Sequence, residues 1–484
     1  MTFLRFVFGV VAIAAGVSVL PACNLLPFYR KPPVEMPVTW KLEGPWRVGT
    51  PSDGVPKGPW WKRFGDPQLD ALVEKALSAS PTLAAANARL AQAKALATAA
   101  SAGLYPQINF STRASNERIS ANRPLTKYGS PNFSTTQENF VLSLGVAYEA
   151  DLFGRVQSVI EGARASAEQS QADLENTRLL LTTDLAAAYF NLRQIDTEID
   201  VLTRSIGLQR RSLEFVTSRR DLGAASGLDV AQQQALIDTT LTQLDVLRRQ
   251  RAQFENAVAT LQGTPAPLFS LAPEVKRVAP PAIPVGVPSD VLERRPDVAA
   301  AERAMAAANS QIGIANAAFY PSIVLGPSIG VQSTRVSTLF DSPSIIWSLG
   351  VSALQPLFNA GRLEANLDFA KAGYDVTVAN YRRVILTAMQ EVEDGMTGTV
   401  ALESAYAQAQ VAIASATRVL DLATARYEGG VSTYLDVISA QQTLLSAERQ
   451  ATQLQGQRLL IAVFLVKALG GDWQGLTKVA APQR

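Results

Sequence analysis

The side chains most often recruited for chemistry are scarce in this chain. Its 484 residues include no histidine and one cysteine, which removes the commonest general base and metal ligand and any disulfide or cysteine metal site. The cysteine has a use where it stands. Arg5 and the apolar run Phe6 to Leu20 have the layout of a secretory signal over residues 1–22. Leu20-Pro21-Ala22-Cys23 closes that signal with a small residue ahead of the cysteine. Bacterial lipoproteins are cut at this pattern, leaving the cysteine as a lipidated N-terminus, so Cys23 is the expected lipid-attachment residue. Among the carboxylates no pair stands out. Glu149 and Asp151 would serve a periplasmic glycosidase, but they are set aside on the expectation that strand neighbours point to opposite faces. No phosphate loop appears, no cofactor or metal is expected, and a net charge of +2 gives no reason to expect nucleic acid. This is an unpromising inventory for an enzyme.

The elements that would position any site are long and duplicated. No proline occurs from Arg155 to Thr264 or from Leu357 to Ala481. Gly154, Leu228 and Gly263 recur as Gly361, Leu435 and Gly470, and 361 − 154, 435 − 228 and 470 − 263 are all 207. In the first copy, 67 residues from Arg155 to Asp221 are followed by the break 222–227 and a second run over Leu228–Leu261. At the α-helical rise the longer run spans roughly 100 Å. Leu241, Leu244, Leu247, Phe254, Val258 and Leu261 keep the spacing of one apolar helix face. These are amphipathic, coiled-coil-like helices, none apolar enough to span a bilayer. Arg295-Pro296-Asp297 reads as an ordinary helix start, with proline in the first turn and a carboxylate near the positive helix end.

Between the helices the period changes to two. Phe140, Leu142, Leu144, Val146, Tyr148 and Ala150 alternate with small or polar residues. So do Ile323, Leu325, Pro327, Ile329 and Val331, then Ile345, Trp347, Leu349, Val351 and Ala353; Tyr105 to Ala114 is a weaker case. Such strands suit a transmembrane β-barrel or one side of a soluble sandwich. Four strands would leave two open edges, and unpaired backbone groups in lipid cost several kcal/mol each, on the order of 2–7 kcal/mol. If the strands span a membrane, several copies of the chain must close one barrel.

The chain resembles the outer-membrane factor family, the TolC-like channels, and within it the lipoprotein or NodT branch that works with RND-type pumps. The resemblance rests on Trp60-Trp61 with Phe64-Gly65-Asp66, on Arg294-Arg295-Pro296-Asp297-Val298, on Tyr105-Pro106 and Tyr320-Pro321, and on Pro356 to Arg362. Arg426 to Ser432 and Ala468 to Trp473 complete it. It implies a mainly α protein with a small β part, built from a duplicated helix–β-hairpin–long-helix–helix unit. It also implies a homotrimer forming a 12-stranded β-barrel continued by a 12-helix α-barrel.

The expected layout is a signal peptide at 1–22, a lipidated extended tether at 23–58, a first repeat at 59–263, an equatorial linker at 264–290, a second repeat at 291–470 and a tail at 471–484. Strands are expected near 105–115, 138–151, 320–333 and 344–355. Helices are expected near 155–221, 228–261, 361–427 and 435–468.

The implied function is a passive exit duct for drugs or other small toxic compounds in the outer membrane of a Gram-negative bacterium. The implied partners are a periplasmic adaptor, an inner-membrane RND pump and outer-membrane lipid. Type I protein secretion or metal-ion efflux are alternatives, as is a coiled-coil spacer without a pore. By the same resemblance the adaptor would meet the interhelical tips, Gly223, Ala224, Ala225, Ser226, Gly227 and Leu228 in the first copy and Gly429, Gly430, Val431, Ser432, Thr433 and Tyr434 in the second. The periplasmic gate would draw on Asp421, Leu422 and Arg426, with Arg219 and Asp221 beside them.

Overall fold

The computed structural model describes Tyr29 and residues 58–121, 134–276, 278–283 and 294–471. The signal, Cys23, the tether apart from Tyr29 and Gly58, residues 284–293 and the tail from 472 on therefore lie outside the described residues. The helices are α1 (Pro67–Ala79), α2 (Pro81–Ser101), α3 (Arg155–Asp221), α4 (Gly227–Leu261), α5 (Pro296–Ala317), α6 (Arg362–Glu428) and α7 (Tyr434–Ala468). The strands are β1 (Gln107–Ile119), β2 (Thr135–Ala150), β3 (Ser322–Leu325), β4 (Ser328–Ser333), β5 (Ile345–Ser348) and β6 (Val351–Leu354). Both α3 and α6 are 67 residues long. No described helix is long and apolar enough to cross a membrane. Contacts divide the chain into two compact units.

The unit made of residues 91–168 and 302–379 holds the sheet. Six strand segments appear where four strands are expected, and the reason is local. Pro327 has no N–H to give the ladder, so the strand is interrupted at Gly326-Pro327. Its carbonyl still accepts from Val146 N at 2.9 Å, and Gly326 N donates to Gly350 O at 2.9 Å. The register does not slip across the gap. Gly145 pairs with Ser328 on one side and Tyr148 with Leu325 on the other, one residue back for each residue forward. The same holds for Ser328 with Ser348 and Leu325 with Val351. The segments therefore behave as four antiparallel strands in chain order, with β1 at one edge and β5–β6 at the other.

That register gathers the bulky side chains on one face. Phe110 is opposite Leu144, Leu144 opposite Ile329 and Ile329 opposite Trp347. These four are 64%, 47%, 49% and 64% exposed, an apolar row running the width of the sheet. The other face is small and polar, where Ser111 and Ser143 hydroxyls meet at 2.8 Å, as do those of Ser328 and Ser348.

The unit made of the described residues among 33–90, 169–301 and 380–484 holds the helical core. Trp60, Phe64, Leu69, Tyr189, Phe190, Val258, Val463 and Val466 are buried together, with the Phe64 and Phe190 rings 4.9 Å apart. The duplication reappears here as close packing. Gly263 ends the turn after α4 at φ 73°, and a Cβ there would lie 2.5 Å from Ala79 O, just before α2. Gly470 follows α7 at φ 77°, and its Cβ would lie 2.8 Å from Arg294 O, just before α5. In each repeat the second helix thus ends against the start of another, at a point only glycine fits.

Candidate functional site

The two interhelical tips are built by the same backbone device. After α3, Gly223 N donates to Arg220 O at 2.8 Å and Ala224 N to Arg219 O at 2.7 Å. After α6, Gly430 N donates to Tyr427 O at 3.1 Å and Val431 N to Arg426 O at 2.9 Å. Both are Schellman closures, with glycine in the left-handed region at φ 79° and 71°. They satisfy carbonyls that a helix end would otherwise leave open. Leu222, Leu228, Val431 and Leu435 stand exposed around the tips.

The side chains that hold the tips differ. Ser226 and Asp229 form a reciprocal capping box at the start of α4. At the equivalent place before α7, Thr433 makes no side-chain bond to the helix backbone. That second tip is anchored by aromatics instead. Tyr434 is buried, its ring 4.9 Å from that of Tyr427, and its hydroxyl donates to Gln233 Oε1 at 2.9 Å. Burial pushes both tyrosine hydroxyls above their usual range. Arg219 lies over the Tyr427 ring at 5.0 Å and donates from Nη1 to Tyr427 O at 3.5 Å. It therefore joins the end of α3 to the end of α6.

The expected gate residues fall into two groups. Asp421, Leu422 and Arg426 are exposed, and among the described residues neither Asp421 nor Arg426 forms a side-chain hydrogen bond or ion pair. Asp221 is held by its neighbour Arg220 at 2.6 Å, an exposed pair of little energetic weight. The tyrosine pair is a site that sequence reading missed, because Tyr427 and Tyr434 look like two ordinary aromatics flanking a turn.

Two further expectations need correction. Glu149 and Asp151 are two apart, which is a same-face spacing, so opposite faces cannot be what sets them aside. Both are already engaged: Arg155 pairs with Glu149 (Nε to Oε1 2.7 Å), and Asp151 accepts from Gln157 N at 2.7 Å in the first turn of α3. Arg295-Pro296-Asp297 is more than a helix start. Arg295 is buried, pairs with Asp297 at 2.7 Å and Glu391 at 2.6 Å, and donates to Ala468 O at 3.0 Å. Burial alone would lower its pKa, but the two carboxylates hold it raised. It ties the start of α5 to α6 and to the end of α7. Asp66 does the comparable work near α1. It is fully buried, and accepts from Tyr189 Oη at 2.7 Å and Lys276 Nζ at 2.9 Å. Burial would raise that carboxyl, yet those bonds keep it below the ordinary carboxylate range.

A sheet with one apolar face and two open edges in one unit, and paired long helices with doubled tips in the other, define a class of channel wall. The family model described as "Outer membrane efflux protein" matches residues 72–264 and 287–471. The chain is 32% identical to the pyoverdine export outer membrane protein OpmQ of Pseudomonas aeruginosa, over 95% of this chain and 97% of that one. It is also 32% identical to the toluene efflux pump outer membrane protein TtgC of Pseudomonas putida, covering 98% of each. Among solved structures, the outer-membrane channel OprN matches with TM-score 0.83 at 28% identity, over 93% of this chain and all of that one. CusC, which forms a transmembrane channel, matches with TM-score 0.82 at 27% identity, with the same coverage. The chain belongs to the outer membrane efflux protein family. It is an outer-membrane efflux channel component with a long periplasmic helical part.

Proposed function

We propose that three copies of this chain share one twelve-stranded barrel and form the passive exit duct of a tripartite pump. The observation that carries this is the sheet. One chain supplies four strands in unbroken register, with an edge at β1 and another at β5–β6, and an apolar face running across them. In lipid those edges must pair, and the simplest partners are the same edges of further copies. Drugs or other small toxic compounds are the cargo. A periplasmic adaptor meets the tips at 223–228 and 429–434, and an inner-membrane pump of the RND type supplies the energy. Leu422 forms the apolar part of the periplasmic closure and Asp421 and Arg426 its polar part. Their exposure in the single chain, with no side-chain partner for Asp421 or Arg426 among the described residues, supports contacts made in the assembled channel. Arg219 and Asp221 brace the neighbouring helix end. Cys23 carries the lipid anchor. The chain acts as a conduit and performs no catalysis.

The test is electrical. Reconstituted in planar bilayers, the Asp421→Ala/Arg426→Ala variant should conduct at least threefold more than the parent chain. Equal conductance would remove these residues from the closure. Cross-linked protein in detergent should run as a trimer, and a monomer that passes no ions would defeat the duct itself.

A further inference from the structure

Just inside the tips, the helical packing changes character. Along α3 the inward residues run Ile206, Gln209, Ser212 and Val216, and along α7 they run Leu445, Gln441 and Ile438. Ile206 and Leu445 belong to one apolar cluster and Val216 and Ile438 to another. The polar residues fill the layer between them, and Gln233 of α4 reaches in from a third helix. Gln209 and Gln233 are at most 1% exposed. On α6, the buried residues nearest this level are only alanines, Ala409 and Ala416.

The amides bond in an unusual way. Gln233 Nε2 donates to the backbone carbonyl of Gln209 at 2.9 Å. Gln441 Nε2 donates to Ser212 Oγ at 2.9 Å, and Tyr434 Oη approaches the Ser212 carbonyl at 3.5 Å. The Gln209 carbonyl of α3 thus takes a donor from a neighbouring helix, and a side chain entering the ladder is a recognised cause of helix bending. Gln209 Oε1 is buried without a partner. Hydrogen bonds among uncharged amides can be exchanged as helices shift, whereas interlocked leucines must be unpacked.

The backbone adds an independent sign. Gly207 sits in the interior of α3 at this layer, and a Cβ there would meet nothing within 4 Å. By contrast, the other glycine of α3, Gly162, would bring its Cβ to 3.2 Å from Ser310. Packing explains Gly162 and does not explain Gly207. A mid-helix glycine loosens the helix relative to alanine. Its place in the second copy, 207 residues on, is taken by Ala414.

We propose that the Gln209–Gln233–Gln441 layer, together with Gly207, is a hinge on which the tips swing relative to the helices above. Its role in opening the duct rests on the channel reading; its existence as a mechanical break does not. Native hydrogen exchange of the full trimer tests the break directly. Amides of 213–221 and 434–440 should exchange at least tenfold faster than those of 195–202, and equal protection would overturn the hinge. Gly207→Ala, which has room for its methyl group, should slow the tip amides severalfold and leave the sheet unchanged. Gln233→Leu/Gln441→Leu should act in the same direction. In the Asp421→Ala/Arg426→Ala background, Gly207→Ala should cut the open fraction at least threefold. If that background conducts no better than the parent, the assignment of the closure fails while exchange still decides the hinge. Unchanged exchange on Gly207→Ala would overturn the proposal.

Discussion

The two tips are copies of one sequence segment that have come to be held by different forces. Both close their long helix with the same glycine geometry and the same pair of backbone hydrogen bonds. Beyond that the first tip is secured locally, by Ser226 and Asp229 bonding each other's backbone within one turn. The second is secured at a distance, through Tyr434 bonding Gln233, which lies 201 residues earlier, and through Arg219 stacked on Tyr427. The position equivalent to Tyr434 in the first copy, 207 residues earlier, is Gly227, which has no side chain to anchor. Duplication thus supplies a common turn, and divergence gives one tip a local cap and the other a buried aromatic anchor. A local cap can travel with its tip; a buried anchor must be broken for its tip to move.

The largest expected asymmetry follows from the buried ring. Tyr434→Ala empties a site with only 2% exposure and leaves Gln233 Oε1 without its donor. About 3–5 kcal/mol of local stability should be lost, as for other large-to-Ala changes in cores. Exchange of the 427–440 amides should accelerate accordingly, with that of 222–229 changed far less. Equal acceleration in both tips would show that they are coupled more tightly than their contacts suggest. The shared glycine geometry predicts the opposite pattern. Gly223→Ala and Gly430→Ala each place a Cβ at positive φ, costing about 1–2 kcal/mol. The two losses should be similar, because neither site has a crowding neighbour closer than 3.4 Å. A clear inequality would mean that the second tip's side-chain anchors already strain its turn.

What was legible in the sequence was whatever repeats within a few residues. Alternation in Phe140 to Ala150 announces a strand with one apolar face, and proline-free runs announce long helices, because both signals are periodic and local. The six-fold segmentation was less visible, although Pro327 lies in plain sight, since whether a proline ends a strand or only interrupts its ladder depends on the neighbour's register. The buried glutamines were not legible. In a long amphipathic helix a glutamine is read as surface, and Gln209 and Gln441 leave that reading only because helices more than 200 residues apart meet. The full role of Arg295 is hidden in the sequence for the same reason. Its nearest carboxylate, Asp297, explains it locally, while Glu391 and the Ala468 carbonyl make it a tie between three helices.

The smallest expected effect separates the two tips by their caps alone. Ser226 Oγ accepts from Asp229 N at 3.2 Å, and Asp229 Oδ2 accepts from Ser226 N at 3.0 Å. Removing the hydroxyl in Ser226→Ala forfeits one of these bonds and weakens the other, a loss of about 1 kcal/mol. In the second copy the residue at the same place is Thr433. Its hydroxyl lies 3.4 Å from Asp436 Oδ2, a contact between side chains that leaves the helix N–H groups as they were. Thr433→Ala should therefore cost well under what Ser226→Ala costs. Hydrogen exchange at Asp229 and Asp436 measures each directly. If the two substitutions weaken their helices equally, the capping box contributes nothing to the difference between the tips, which then rests on Tyr434 and Arg219 alone.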